Sequence, residues 1–316
     1  MRRALIAASC ILLFPALAPA DSLYVISSGG RRGFIDREGN VVIPPLHDEA
    51  SGFSCGRALV RQVERSGEEA RVVRQGAGAG RETLWGYIDT SGRTVIAPSF
   101  IAAGDFSGGR AWFEFKKRVL FITVSDYYGY IDRAGRIIIP ARYDRAGDFA
   151  EGLAPVTLKG KRGFVDTAGN MAVPAVYDAC GEFSGNRAPV RTGDAWGFID
   201  RGGRTAIAPR FDDAREFSDG LALVRSGSRW GFIDTSGAWA IPPRLEEAGE
   251  FAGGRAPFSE GASWGFIDRT GRVAIVPRYE TVWRFLGGIA RVEVRGEWTY
   301  IDTAGTVVWS RTERAP

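Results

Sequence analysis

The sequence predicts an all-β fold: eight three-stranded antiparallel units in a repeat array. An open, twisted β-array is favoured over a closed eight-bladed β-propeller. Two observations carry this. The tetrapeptide Gly-aromatic-Ile/Val-Asp recurs, with aspartates at Asp36, Asp89, Asp132, Asp166, Asp200, Asp234, Asp268 and Asp302. Successive separations are 53, 43, 34, 34, 34, 34 and 34, a period of 34 with early insertions of 19 and 9 residues. Other residues keep the same frame. Gly stands three after each Asp, as at Gly203 and Gly237, and Pro eight or nine after, as at Pro140 and Pro209. Seventeen after comes Phe (Phe53, Phe106, Phe149, Phe183, Phe217, Phe251, Phe285), and twenty-two after comes Ala, as at Ala188 and Ala222.

One unit, Leu221 to Gly254, shows how each element follows. Leu221–Arg225 is short and β-prone (strand A), and Ser226-Gly227-Ser228 turns the chain. Trp230–Asp234 is strand B, and Asp234-Thr235-Ser236-Gly237 is a type I turn with glycine in the left-handed position. Trp239–Ile241 is strand C, which Pro242 and Pro243 end because proline cannot donate to a ladder. Arg244–Gly254 then crosses back and drops Phe251 into the core. About ten residues reach up to ~35 Å, enough to return along a ~17 Å strand. The first strand A is Leu23–Ile26 and the last strand C is Thr306–Trp309, so eight units stand in frame with no terminal strand borrowed. That favours the open array.

Each recurrent residue has a structural reading. The aspartates accept hydrogen bonds from their own turns, and Asp-x-x-Gly lacks the alternating ligands of a calcium loop. The Phe and Ala series are core. The tryptophans pack between repeats rather than forming a carbohydrate-stacking stripe, with glycine admitting a close neighbour. His47 fills the place held elsewhere by Phe100, Tyr143, Tyr177, Phe211 and Tyr279, and so packs.

Trp85-Gly86-Tyr87-Ile88-Asp89, Trp196-Gly197-Phe198-Ile199-Asp200, Trp230-Gly231 and Trp264-Gly265, each followed by Asp-x-x-Gly, resemble the bacterial WG (KWG) repeat. The resemblance runs from about Leu23 to Trp309. Arg32, Tyr128 and Arg162 depart from it in place of Trp, and Thr299 in place of Gly. It implies a β-rich repeat module and no single activity.

Arg2 and Arg3 precede an apolar run from Ala4 to Leu17, then Ala18-Pro19-Ala20. This reads as a signal peptide, residues 1–20, cleaved after Ala20, and the expected location is periplasmic or extracellular. Residues 21–316 form one WG-repeat domain. Cys55 and Cys180 fall in non-adjacent repeats and read as two buried thiols. With one histidine, a histidine-rich metal site is impossible. No phosphate loop, nucleotide fingerprint, zinc spacing or nucleophile elbow occurs, so no catalytic residue, cofactor or metal is expected. Neither nucleic acid nor a membrane span is expected.

Function is sought where repeats differ. Both insertions, near 63–84 and 116–128, lie between strands A and B and read as hairpin arms. With the other A–B turns they make one end basic, while the crossovers carry more of the acid. The candidate partner-binding residues are Arg71, Arg74, Arg81, Lys116, Lys117, Arg118, Tyr127 and Tyr128. The expectation is an exported, non-enzymatic scaffold that binds a protein or an anionic envelope polymer. The alternative is a carbohydrate-binding or carbohydrate-processing protein using exposed aromatics and the crossover acids Asp212, Asp213, Glu216, Glu246, Glu247 and Glu250.

Overall fold

Each repeat folds as an antiparallel meander because its β-prone runs are separated by turns only a few residues long. The computed structural model describes residues 23–62, 84–119 and 122–310. In the unit read above, the strands are Asp213–Ser218, Leu221–Ser226, Arg229–Ile233 and Trp239–Leu245, hydrogen-bonded in that order. Strands A and B align Val224 with Gly231 and Arg225 with Trp230. Strands B and C align Phe232 with Ile241 and Trp230 with Leu245, with a register shift between the pairs. Pro242 and Pro243 therefore do not end strand C. They sit on an edge strand at the shift, where their missing N–H groups cost no ladder bond.

The connection taken as a crossover is itself a strand. Asp213 and Ala214 pair with Arg225 and Val224. The same short first strand recurs as Glu49–Ala50, Arg145–Ala146, Ala179–Cys180 and Thr281–Val282. In two further sheets it shrinks to the single bridges Ala103–Phe113 and Ala248–Phe258. The result among the described residues is eight small antiparallel sheets, five of four strands, two with a bridge in place of the first strand and one, Tyr24–His47, of three, each built like a β-propeller blade. This overturns the open array. A three-strand count left each unit with a long free connection, whereas that connection pairs into the next sheet as its first strand. Successive sheets then meet face to face instead of extending edge to edge.

The chain divides into two compact units, residues 1–99 and 100–316. The first holds two sheets, with Phe34 and Ile43 of one packed on Phe53, Ala58, Val60 and Ile88 of the next. The second holds six, and its cores are also built between neighbouring sheets. One joins Phe198 and Ile207 to Phe217, Ala222, Val224 and Ile233, and the next joins Phe232 and Ile241 to Phe251 and Ala256. The aromatic before each recurrent aspartate meets the Phe that follows it by seventeen. Ring centroids are 4.7 Å apart for Phe164–Phe183, 5.1 Å for Phe198–Phe217 and 4.7 Å for Phe232–Phe251. The Phe and Ala series are buried as the periodicity requires.

Polar ties follow the same joints. Ser218 Oγ donates to the Phe251 carbonyl at 2.6 Å. The Arg210 guanidinium donates to the Gly237 carbonyl at 2.6 Å while lying over the Phe211 ring. His47 occupies the aromatic slot as expected, opposite Arg32, in the register that pairs Arg162 with Tyr177. Cys180 is a buried free thiol whose pKa burial pushes up to about 11, against the pull of Arg162.

Candidate binding surfaces

The second insertion is the extended hairpin that its composition predicts. Arg110–Val119 and Ile122–Asp132 run ten and eleven residues, about twice the neighbouring strands. Lys116, Lys117, Arg118, Tyr127 and Tyr128 all fall on it, with Lys116 opposite Asp126 and Glu114 opposite Tyr128. Arg71, Arg74 and Arg81, with residues 1–20, where a signal peptide is expected, lie outside the described residues. Lys116 Nζ stands 3.8 Å from a Glu114 oxygen. Tyr128 meets Trp112 edge-on at 5.8 Å, and burial, then Glu114 and Asp126, raises its phenol pKa. Sequence reasoning missed Phe115. It shares the Phe113 face, yet Phe113 is buried and Phe115 is 54% exposed. The signal was the Trp-Phe-Glu-Phe alternation running past the length of the neighbouring strands.

Acids also reach the A–B end. In a four-stranded meander, the connection from strand C to the next first strand turns at the same end as the A–B turn. The crossover acids therefore meet those turns. Asp178 accepts the Gly193 N–H, Asp212 the Gly227 N–H, and Glu280 the N–H groups of Arg295 and Gly296. Arg229 pairs with Glu246 at 3.0 Å, and Lys161 with Asp178.

The recurrent aspartates cap their turns. Asp234 Oδ1 accepts the N–H groups of Ser236 and Ala238 and the Ser236 hydroxyl, and these bonds hold its pKa down. Among the described residues no group of three or more His, Cys, Asp and Glu is placed to hold a metal ion. The WG tryptophans Trp85, Trp196, Trp230 and Trp264 are half-buried. Arg61 lies over Trp85 and Arg225 over Trp230, at 5.5 and 5.9 Å.

Glu216 and Glu250, read from sequence only as crossover acids, belong to a row that escaped notice because it is spread one residue per repeat. Asp105, Asp148, Glu182, Glu216 and Glu250 each precede the core Phe, on the first-strand edge of five successive sheets. The row ends at Arg284. Glu216 reaches back to accept the Glu182 N–H at 3.0 Å. Three pKa values are raised, each first by burial. Asp105 then adds to Asp148, Asp148 and Glu216 to Glu182, and Glu216 to Glu250, where Arg284 and Arg215 oppose. A carboxyl whose folded pKa exceeds its unfolded one costs nothing while both states are protonated. It penalises the fold as pH rises from about 4 through the raised value. Glu250→Gln is therefore expected to raise the melting temperature at pH 7 and leave it unchanged at pH 3. Melting curves at the two pH values check this, and an equal effect at both would contradict it.

Seven stretches, 33–62, 85–117, 128–161, 163–194, 196–230, 230–262 and 264–298, match the WG containing repeat, well over half of the chain. The chain belongs to the WG-repeat family. No curated protein matches it. Among solved structures, this WG-repeat protein is similar to a eukaryotic initiation factor at 12% identity, covering 92% of this chain and 84% of that one with a TM-score of 0.59. It also matches apo AztD from Citrobacter koseri at 12% identity, covering 72% and 78%, with a TM-score of 0.37. At such identity the first likeness speaks to the fold alone. It agrees with the correction from open array to propeller.

Proposed function

We propose that this WG-repeat protein is an exported, non-enzymatic scaffold that binds a protein or an anionic envelope polymer through the long hairpin of its third sheet. The observation that carries the reading is the hairpin itself. It is twice the length of its counterparts and presents an exposed aromatic, Phe115, beside Lys116 and Tyr127. An aromatic anchor next to a cation on a rigid strand has the composition of a binding hot spot. The charged, apolar and small-residue order of Met1–Ala20 supports export to the periplasm or beyond.

The test is retention from envelope extract by the full chain against a Phe115→Ala, Lys116→Ser double variant. Partner recovery is expected to fall at least about tenfold, the loss of one hot-spot anchor. The variant's melting temperature should stay unchanged, because Phe115 packs little. Undiminished recovery by the variant would remove the hairpin from the proposal. A glycan array and a reducing-end assay should both be blank. The exported protein should begin at Asp21, and an exported form beginning at Met1 would contradict signal cleavage.

A further inference from the structure

The WG repeat hides a second period of two units. In the third, fifth and seventh sheets, arginine stands at or just before the start of strand A and occupies the first and fourth positions after the recurrent aspartate. These sets are Arg110, Arg133 and Arg136; Arg187, Arg201 and Arg204; and Arg255, Arg269 and Arg272. In the fourth, sixth and eighth sheets the same places hold Leu153, Thr167 and Asn170; Leu221, Thr235 and Ala238; and Ile289, Thr303 and Thr306. The turn arginines repeat every 68 residues, as Asp132, Asp200 and Asp268 do, and Arg187 and Arg255 keep the same interval.

The sheet brings each set together. Arg110 stands opposite Asp132, and Arg255 opposite Asp268, so the arginine of strand A adjoins the turn that carries the other two. In the third sheet, Arg110, Arg133 and Arg136 line an open cavity of about 610 Å³ with Ile138 and Asp132. The Asp132 carboxylate is engaged there by the N–H groups of Ala134 and Arg136 and by Arg136 Nε. Arg110 and Arg133 are left with no ion pair among the described residues. Arg204, Arg269 and Arg272 are likewise exposed and make no ion pair, and Arg201 donates to the Glu151 carbonyl. Arg110 Nε and Arg187 Nε are buried donors with no acceptor among the described residues. The other turn aspartates of this end accept the N–H groups of their own turns, and Glu151 and Asp219 are taken up by the Asn186 and Gly254 N–H groups of the next sheets.

The turn does not need these arginines. Asp166 and Asp302 accept the same two turn N–H groups with Thr167 and Thr303 in the first position. Of the nine guanidinium groups at this end of the second unit, Arg136 and Arg201 are tied as above, and Arg110, Arg187 and Arg255 donate to the carbonyls of Gly109, Asn186, Gly254 and Thr303, which leaves Arg133, Arg204, Arg269 and Arg272 exposed at turns that keep their geometry without them.

We propose that the B–C turn end of residues 100–316 binds a linear polyanion, each arginine set taking one anionic group of the polymer. The occupant is polymeric because the sets recur on alternate sheets at one end, a spacing a single small anion cannot use. This end is opposite the hairpin tip, so the inference goes beyond the proposed function and stands without it.

The test exchanges turn residues between sheets: Arg133→Thr with Arg136→Asn, Arg201→Thr with Arg204→Asn, and Arg269→Thr with Arg272→Asn, singly and together. These are the residues that the fourth sheet already uses, so the turns are kept, and melting temperatures verify this. The probe is long-chain polyphosphate, with inorganic phosphate as competitor. Wild type should bind the polymer with a strong salt dependence. Each swap should weaken binding roughly threefold or more, in line with exposed charge pairs, and the losses should accumulate. The Phe115→Ala, Lys116→Ser variant should bind polymer normally. Binding that all three swaps leave intact, or no binding by wild type, overturns the proposal. So does inorganic phosphate competing as well as polymer at equal phosphate concentration, which would mark a single-anion site.

Discussion

Phe217→Ala is expected to destabilise the protein by about 3–5 kcal/mol, the range for removing a fully buried aromatic. Phe217 is only 3% exposed, and its ring centroid lies 5.1 Å from that of Phe198 in the preceding sheet. Its side chain sits where Ile207, Ala222, Val224 and Ile233 of two sheets converge, so the hole cannot close by moving one strand. The carbonyl of the same residue accepts the Ser184 hydroxyl across the joint. Denaturant melts measure the loss. A change below about 1 kcal/mol would show that the joint relaxes around the gap, against the packing described.

Gly197→Ala is expected to cost about 1–3 kcal/mol or more, as overpacking against fixed atoms does. A Cβ at this position would lie 2.5 Å from the Ile207 carbonyl oxygen and 2.7 Å from the Pro209 nitrogen. Both are backbone atoms of the neighbouring strand, so no side chain can swing aside. The proline-bearing strand C crosses here through its register shift, and this explains the glycine of the Trp-Gly pair. The last repeat supplies the control. Thr299 replaces the glycine, and its partner strand Val307–Ser310 carries no proline and pairs Thr299 with Ser310. Thr299→Gly should therefore be mild where Gly197→Ala is severe. Equal melting shifts for the two would refute the account.

What was legible in the sequence was what recurs at one residue per repeat with a local cause. The Asp-x-x-Gly turns, the Phe and Ala core and the aromatic slot of His47 all have one. The fourth strand was not legible, because in four sheets it is two residues long, as at Arg145–Ala146, and the six-residue Asp213–Ser218 is mostly charged and polar. Without that strand, nothing local distinguishes sheets stacked face to face from sheets joined at their edges, so the open array was preferred. The acids at the A–B end escaped notice for a related reason. Asp178 and Glu246 are far in sequence from the turns of Gly193 and Arg229, and only the meander brings them to one end. The carboxylate row and the alternating arginines were in the text of the sequence. They appear only when the residue before each Phe is read down the repeats, or when the repeats are taken two at a time.

The cores described above belong to joints rather than to repeats. Each of these takes a Phe-Ile pair from one sheet and a Phe-Ala pair, followed by Val224 or Phe258, from the next. A solitary repeat would thus own two half-cores and no whole one, so the smallest cooperative piece of this chain is a pair of neighbours. Growth or loss of the chain by multiples of 34 residues, cut after an aspartate, would rejoin matching halves and leave every remaining joint complete. A change of 68 residues would also keep the alternation of the turn arginines, whereas a change of 34 would break it.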